Sequence, residues 1–257
     1  MATRLILPGL AGKRALITGG SRGVGRATAR LLAAAGAHVA IGYHSRHADA
    51  EATVAELRAA GADAFAHAAA IETEAGAASL FDACTQRFGG LDLFIANAGI
   101  WPPDEVPLAE MREAQWLRTL EINLTSIFHT VRLAAQQLAD GGRIVLVSST
   151  AGQRGEAGHA DYAATKGALI SLTKSVAVEL APRGITVNCI APGWIDTEMV
   201  AGPMAGEGRA RIERSIPLGR IATPDDIAGP IVFLCSDLAR HVTGEILNVN
   251  GGSVLCG

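Results

Sequence analysis

Apolar positions along the chain fall into short strand-like runs that alternate with longer helix-like stretches. A run such as RIVLVSS (143–149) is apolar at successive positions, which is typical of strands in a parallel sheet buried on both faces. Helical periodicity is clear in two stretches, 25–36 and 51–61, and a glycine ends each of them. The strand-like runs lie at residues 14–19, 38–43, 64–69, 91–99, 143–149, 184–192 and 245–252.

This alternation predicts βαβ crossovers with helices on both faces of one sheet. We expect an α/β fold, with a single doubly wound Rossmann-type domain over residues 1–257 and a parallel sheet of about seven strands. The segment 194–222 interrupts the alternation and is rich in glycine, proline and charge. It is predicted to form a mobile lid over a site.

Composition narrows the class of protein. The 257 residues are 49% hydrophobic and 18% charged, enough apolar material for a sizeable core. A net charge of −3 lacks the excess of positive charge that is typical of nucleic-acid-binding proteins. No apolar run is long enough for a transmembrane helix. The four cysteines form no C-x-x-C pair, and His44 and His47 have no paired ligands, so no metal site is expected. Free thiols, with no signal-peptide pattern at the N-terminus, favour the cytoplasm.

A glycine-rich turn follows the first predicted strand. In TGGSRGVG (18–25), Gly19, Gly23 and Gly25 let the backbone turn tightly and approach a ligand closely. The helix that follows offers its N-terminus to a pyrophosphate. A strand–helix turn without a ligand is the alternative, but the position after the first strand favours nucleotide binding.

A tyrosine and a lysine lie four residues apart in DYAATKGALI (161–170), on one face of a predicted helix. A free phenol has a pKa of about 10, and a nearby cation lowers it toward the range useful for acid–base catalysis. Tyr162 and Lys166 alone could be an exposed pair without function. Ser149 ends an apolar strand, where ligands bind in open α/β sheets, and Asn123 is a polar residue inside a predicted helix.

The order of these motifs resembles the short-chain dehydrogenase/reductase family. TGGSRGVG, IANAG (95–99), Asn123, Ser149, YAATK (162–166) and APG (191–193) occur as in that family, and the likeness extends to NVNGG at 248–252. Within the family, the chain is most similar to 3-oxoacyl-acyl-carrier-protein reductase-like members. The resemblance implies reversible hydride transfer between a nicotinamide and a ketone/secondary alcohol pair.

The resemblance also implies roles for individual residues. Tyr162 is expected to be the general acid/base, Ser149 to position the substrate oxygen, Lys166 to lower the phenol pKa and bind the nicotinamide ribose, and Asn123 to hold a relay water. The expected cofactor-binding residues are Gly19, Ser21, Arg22, Gly23, Val24, Gly25, Tyr43, Ser45, Arg46, Asn97, Ala98, Gly99, Tyr162, Lys166, Pro192, Gly193, Ile195 and Thr197.

Two positions depart from the family pattern. Ala96 replaces the first asparagine of the usual Asn-Asn-Ala-Gly motif. Ala70 stands where the family often has an aspartate that contacts adenine, so adenine binding is expected to use backbone and apolar contacts. Neither change removes a catalytic group.

The charge pattern after the second strand favours NADP(H) over NAD(H). NAD-binding sites have an acid at the end of that strand, whereas this chain has Tyr43, followed by His44, Ser45 and Arg46. A 2′-phosphate would be attracted by Arg46, and by Arg22 as the resemblance implies. The alternative is that both arginines are solvated surface residues.

Other interpretations remain open at this stage. A dinucleotide-bound regulator that has lost turnover would commonly lack the tyrosine or lysine, and an epimerase or dehydratase of this fold is usually longer. Glu156 and His159 could face substrate or be solvated loop residues. Trp101 and Trp194 could form an apolar substrate wall or pack the loops.

Substrate and assembly follow from the resemblance and from charge. The stretches 132–140 and 174–182 carry little of the positive charge that would dock an acidic carrier, which favours a free small ketone or a 3-oxoacyl thioester. The resemblance implies a homotetramer, with one interface made by long helices at about 108–139 and 160–181 and another by the C-terminal strand region.

Overall fold

Seven parallel strands form one sheet in the computed structural model, which describes residues 7–256. Their order across the sheet is β3-β2-β1-β4-β5-β6-β7, which confirms the predicted doubly wound fold. Residues 1–6, part of the stretch assessed for a signal peptide, and residue 257 of the predicted domain lie outside the described residues. The strands are β1 (Arg14–Thr18), β2 (His38–Tyr43), β3 (Ala64–Ala68), β4 (Leu91–Ala96), β5 (Leu138–Val147), β6 (Thr186–Pro192) and β7 (Ile246–Val249).

Helices cover both faces of this sheet. None of those within residues 7–256 is long and apolar enough to cross a membrane. They are α1 (Gly23–Ala34), α2 (His47–Ala59), α3 (Glu74–Phe88), α4 (Glu113–Leu120), α5 (Ser126–Gln137), α6 (Thr150–Arg154), α7 (Ala160–Leu180), α8 (Gly208–Ser215) and α9 (Pro224–Cys235).

Alternate strand residues enter two separate apolar cores, one on each face of the sheet. Ile17 of β1 packs in the core beneath α1, α2 and α9, whereas its neighbour Leu16 packs in the core beneath α3, α5 and α7. Both side chains are fully buried. The successive apolar positions of the strands are therefore explained by burial on two faces.

Local signals in the sequence explain where several helices begin and end. Thr223 caps α9 in a capping box with Asp226, and Pro224 occupies the first helical position, where no N–H is needed. Thr73 accepts a hydrogen bond at the start of α3, and Gly89 ends that helix with a φ of 76°.

The long helix expected at about 108–139 runs over 113–137, which corrects its predicted bounds, and a separate 3-10 turn, Leu108–Glu110, precedes it. A π-helical turn, Glu121–Thr125, separates α4 from α5. β5 then starts at Leu138 rather than at residue 143. The earlier start is a short extra pairing of Leu138 with Leu91, offset from the main ladder by a register shift. The second long helix, expected at about 160–181, is present as α7.

The segment 194–222 leaves the sheet and returns to nearly the same point. Ile195 forms a β-bridge with Ala222, which closes the segment at its base. Inside it, Ile212, Ile216 and Ile221 form a small core of their own against Trp194 and Met204. The segment therefore packs as a separate unit beside the sheet, and its role as a lid stays a prediction.

A half-buried ion pair joins the starts of the two central strands. The Asp92 carboxylate accepts hydrogen bonds from the backbone N–H of Arg14 and from its guanidinium, at 2.7–3.0 Å. Burial tends to raise the pKa of Asp92, but these hydrogen bonds outweigh it and hold the pKa below its usual value. The pair therefore stabilises the junction of β1 and β4.

Replacement of this carboxylate should destabilise the protein measurably. We expect Asp92→Asn to lower the free energy of unfolding by about 2 kcal/mol, because charge-assisted hydrogen bonds to a buried carboxylate are lost. Urea denaturation at neutral pH measures the change. Asp63→Asn removes a carboxylate from the exposed pair with Arg87 and serves as the control, with an expected loss below about 1 kcal/mol. Equal losses in the two variants would contradict the structural role of Asp92.

Candidate active site

A cleft of about 630 Å³ lies at the carboxyl edge of the sheet, where the turns after β1, β2, β4, β5 and β6 meet. Parallel strands all end at this edge, and the strand order reverses there between β1 and β4. Of the site residues predicted from sequence, Gly25 and Asn123 do not line the cleft. The others do: Gly19, Ser21, Arg22, Gly23, Val24, Tyr43, Ser45, Arg46, Asn97, Ala98, Gly99, Ser149, Tyr162, Lys166, Pro192, Gly193, Ile195 and Thr197.

The glycine turn after β1 forms a backbone cradle at one end of the cleft. Gly19 and Gly23 have φ values of 66° and 52°, which other residues rarely adopt, and a Cβ on Gly19 would lie 3.0 Å from the Cα of Ala98. The N-cap residue Arg22 makes no side-chain cap, so the first N–H groups of α1 remain for a ligand. The cradle fits a pyrophosphate. Gly25 lies behind it, where a Cβ would clash with the carbonyl oxygen of Gly19.

Thr18 joins the turn after β1 to the end of β4. Its buried hydroxyl accepts hydrogen bonds from the N–H groups of Asn97 and Ala98, at 3.0 and 3.1 Å. The Asn97 side chain donates in return to the carbonyl oxygens of Thr18 and Gly19. Sequence analysis did not assign Thr18 to the site; its place as the last residue of the first strand was the available signal.

Asn123 lies in the π-helical turn between α4 and α5 and is fully buried. Its amide accepts a hydrogen bond from the N–H of Ile100 and donates one to the carbonyl of the same residue, both at 2.8 Å. The side chain thus fixes the chain that follows β4. Its expected role in holding a relay water stays a prediction.

The predicted serine, tyrosine and lysine come together where β5 ends. Ser149 caps α6 by accepting a hydrogen bond from the N–H of Ala151 at 3.1 Å, and it lines the same cleft as Tyr162. Lys166 lies one turn further along α7, with Nζ 5.7 Å from the centre of the phenol ring. That ammonium group donates a 2.8 Å hydrogen bond to the carbonyl of Val147.

The pKa values of the phenol and the ammonium group are set by burial. Burial raises the pKa of Tyr162 to about 12, and the hydrogen bond from Ser149 opposes this only in part. Burial lowers the pKa of Lys166 to about 8. The pKa of the phenol is therefore raised, whereas sequence analysis predicted that it would be lowered. Removal of the phenol from water outweighs any effect of the Lys166 ammonium group, which is hydrogen-bonded to the carbonyl of Val147.

Close contact between α6 and α7 holds the lysine in place. A Cβ on Gly152 of α6 would clash with the backbone of Lys166, so this approach requires glycine. The Ser148 hydroxyl donates a 2.7 Å hydrogen bond to the Lys166 carbonyl. Ser148 belongs to the predicted strand at 143–149, and its bond to α7 depends on the fold.

Asp161 is a buried carboxylate that sequence analysis missed. One of its oxygens accepts hydrogen bonds from the hydroxyl of Thr119 at 2.7 Å and the amide of Gln115 at 3.3 Å, both on α4. The other accepts the backbone N–H of Tyr162 at 2.9 Å. The carboxylate therefore ties α4 to the first turn of α7, at the residue next to the phenol.

Two arginines lie at the other end of the cleft, after β1 and β2. No acid stands at the end of β2, where the Tyr43 hydroxyl bonds the ring of His47 at 2.7 Å. The acid beside these arginines is Glu198, which belongs to the segment 194–222. It accepts a hydrogen bond from Arg22 at 2.6 Å and one from Arg46 at 3.4 Å. The arginines are therefore paired with a carboxylate of distant sequence position.

Apolar side chains line the wall of the cleft near the end of β3. Ala69, Ile71 and Leu80 all line it. They lie beside Ala70, the position at which related proteins often have an aspartate. Within residues 7–256, no group of three or more metal-ligating side chains is placed to hold an ion. This part of the cleft suits a planar, apolar ligand group.

The loops beside the tyrosine pack through aromatic rings. His159 is 1% exposed and stacks on Trp101 at 4.3 Å between ring centres, and the edge of Trp101 meets Trp194 at 6.2 Å. Glu156 accepts a 3.4 Å hydrogen bond from the indole of Trp101, and burial raises the pKa of its carboxyl group. His159 is thus not a solvated loop residue, and the contact between the tryptophans favours loop packing over a substrate wall.

Comparison with known proteins agrees with this geometry. Residues 19–253 match a family of proteins described as enoyl-(acyl carrier protein) reductase. The chain is 40% identical over 242 residues to a 3-oxoacyl-[acyl-carrier-protein] reductase, FabG, of Staphylococcus aureus, across 93% of this chain and 97% of the relative. It is 42% identical over 240 residues to cis-4-hydroxycyclohexanecarboxylate dehydrogenase of Sinomonas cyclohexanicum, across 93% and 95%.

Solved structures show the same architecture. A short-chain dehydrogenase from Burkholderia cenocepacia, determined in complex with NADP, superimposes with a TM-score of 0.89 at 38% identity, covering 95% of this chain and 98% of that one. The matches extend over nearly the whole chain, including the glycine turn and the serine, tyrosine and lysine of the cleft. The chain belongs to the short-chain dehydrogenase/reductase family, whose members include oxidoreductases acting on hydroxyl and keto groups.

Proposed function

We propose that this protein is an NADP(H)-dependent oxidoreductase that interconverts a ketone and a secondary alcohol, with Tyr162 as general acid/base. The observation that carries the proposal is the meeting of Ser149, Tyr162 and Lys166 in the same cleft as the glycine turn. A protein that only bound a dinucleotide would need the turn but not a serine and a tyrosine in the same cleft. No feature of the cleft favours the regulatory alternative.

The side chains suggest how the reaction is assisted. NADPH would supply the hydride, and the glycine turn, the first N–H groups of α1 and Lys166 would hold the cofactor. A carbonyl oxygen between the hydroxyls of Ser149 and Tyr162 would accept a hydrogen bond from each. Tyr162 would then donate its proton to that oxygen as negative charge develops on it.

The acid–base state of the phenol suits donation of a proton to a carbonyl oxygen. With a pKa of about 12, Tyr162 carries its proton throughout the neutral range and is ready to donate it. The positive charge of Lys166, which stabilises the phenolate as the proton leaves, is present below its pKa of about 8.

The preference for NADP(H) is supported by charge at the end of β2. Arg22 and Arg46 reach into the same region of the cleft, and no acid ends the strand. A 2′-phosphate carries about −1.5 to −2 charges and accepts charge-assisted hydrogen bonds from guanidinium groups. The relative from Burkholderia cenocepacia was solved with NADP, which supports the same assignment.

For the substrate we propose a free small ketone or a 3-oxoacyl thioester rather than a carrier-bound chain. On α5, Arg132 pairs with Glu74 and lies over the ring of Phe128, so little positive surface remains for an acidic carrier. The relatives include both a carrier-protein reductase and a dehydrogenase named for a free hydroxy acid.

For assembly we propose a homotetramer, and for location the cytoplasm. Phe128 on α5 and Val178 on α7 are 52% and 76% exposed, and Leu117 on α4 is 55% exposed. Apolar side chains exposed on neighbouring helices suit contact with a second copy of the chain. The cytoplasmic location rests on the free thiols of the sequence.

Removal of the phenol hydroxyl tests the proposed reaction. Tyr162→Phe keeps the ring but removes the proton donor, and we expect kcat for ketone reduction to fall by roughly two orders of magnitude or more. Stopped-flow or steady-state NADPH absorbance measures the rate, and an unchanged melting temperature verifies that the variant is folded. Undiminished turnover would exclude the assigned role of Tyr162.

A charge at the end of β2 tests the cofactor assignment. Tyr43→Asp should lower the ratio of kcat/KM for NADPH to that for NADH on the order of tenfold, because the new carboxylate repels the 2′-phosphate. Tyr43→Asn is the control: asparagine is similar in size to aspartate but uncharged, so it separates the effect of the new charge from that of the lost ring. The assignment fails if the wild-type enzyme has a higher kcat/KM with NADH than with NADPH on the same ketone at the same salt.

Matched substrates test the substrate class. We expect kcat/KM for a 3-oxoacyl group on a small free thioester to be within about tenfold of that for the same group on an acyl carrier protein, because the helices lack a basic docking surface. Both substrates are assayed at the same ionic strength. A much larger advantage for the carrier-linked substrate would overturn the proposal.

A further inference from the structure

Glu198 occupies the two arginines that would bind a 2′-phosphate. Its Oε2 atom accepts a hydrogen bond from Arg22 at 2.6 Å and lies 3.4 Å from Nη2 of Arg46. These arginines belong to different turns, one after β1 and one after β2. The same carboxylate oxygen joins them, and all three residues line the cleft.

A carboxylate oxygen and a phosphate oxygen compete for the same donors. Both are anionic acceptors, and guanidinium groups bind each of them through charge-assisted hydrogen bonds. An N–H group already donated to Glu198 must be released before it can serve a phosphate. A phosphate beside an intact Glu198 would also be repelled by its charge.

Two acids lie near these arginines, Asp49 and Glu198, and they belong to different parts of the chain. Asp49, 3.7 Å from Arg46, belongs to α2, the helix that starts beside that arginine. Glu198 belongs to the segment 194–222 and directly follows Thr197, which lines the cleft and lies against the turn at Gly23. The ion pairs therefore connect this segment to the phosphate end of the cleft.

We propose that Glu198 competes with the 2′-phosphate of NADP(H) for Arg22 and Arg46, and so reduces the preference of this protein for NADP(H) over NAD(H). The inference rests on the proposed binding of NADP(H). NAD(H) has no 2′-phosphate and leaves the ion pairs intact. Binding of the phosphate releases Glu198, and with it the attachment of the segment 194–222 to the turns after β1 and β2.

Binding of two cofactor fragments tests this competition without turnover. Adenosine 2′,5′-bisphosphate carries the 2′-phosphate, and adenosine 5′-monophosphate lacks it. Isothermal titration calorimetry gives the Kd of each for the wild type, Glu198→Gln and Glu207→Gln. Glu207 is an exposed acid of the same segment, so its variant removes an equal charge away from the arginines.

Glu198→Gln should tighten binding of the bisphosphate by roughly two- to fivefold, the range expected when an exposed ion pair no longer competes. Its Kd for the monophosphate should stay unchanged, and Glu207→Gln should leave both values unchanged. Glu198→Gln should also raise kcat/KM for NADPH by a similar factor, and it should leave kcat/KM for NADH unchanged.

Three results would overturn the inference, and they differ from failure of the cofactor assignment. Unchanged binding, equal changes for both fragments, or weaker bisphosphate binding by Glu198→Gln would each show that the carboxylate does not compete; weaker binding would mean that it orients the arginines. A wild-type protein that binds the bisphosphate no better than the monophosphate would instead overturn the NADP(H) assignment, and this inference with it.

Discussion

The hydroxyl of Thr18 holds together the point of the sheet on which the cleft depends. It accepts hydrogen bonds from the two N–H groups that follow β4. The Asn97 side chain donates hydrogen bonds to the carbonyl oxygens of Thr18 and Gly19, where the turn after β1 begins. These bonds lie where the strand order reverses, so the crevice for ligands opens directly above them. The glycine cradle and the chain leading to Ile100 are both placed relative to this junction. Loss of these bonds would free the turn after β1 from the chain that follows β4 and so disturb the proposed cofactor site.

The other half of the cleft depends on burial of a charged group. Lys166 is 5% exposed, and its ammonium is bonded to a strand carbonyl at the end of β5. Its lowered pKa reflects the free energy spent in removing a cation from water. Buried titratable groups placed beside a cleft are typical of functional sites. The close approach of α6 at Gly152 and the bond from Ser148 hold this arrangement against that cost.

Much of the fold could be predicted from sequence because its strands are short, apolar and flanked by glycines. The second strand has the predicted bounds, and the glycine after α1 ends that helix as expected. The π-helical turn at Glu121–Thr125 was not predicted, and Asn123 within it pairs with Ile100, 23 residues away, which local sequence does not indicate. The residues that form the cleft were predictable where motifs carry them. Thr18, Asp161 and Glu198 were missed, because the hydrogen bonds that place them in the site join residues 42 to 176 positions apart. The phenol pKa was predicted in the wrong direction because burial cannot be read from spacing.

The closure of the segment 194–222 at its base has a consequence for variation in this fold. The chain leaves and rejoins the sheet at the bridge between Ile195 and Ala222, and a small core of three isoleucines lies between these points. Lengthening a loop whose ends already meet costs little, about 0.6 kcal/mol for each doubling of its length. Insertions between the small core and the bridge are therefore expected to leave the seven strands in place. Related proteins can diverge in what they accept at the open side of the cleft while they keep one unchanged scaffold beneath it.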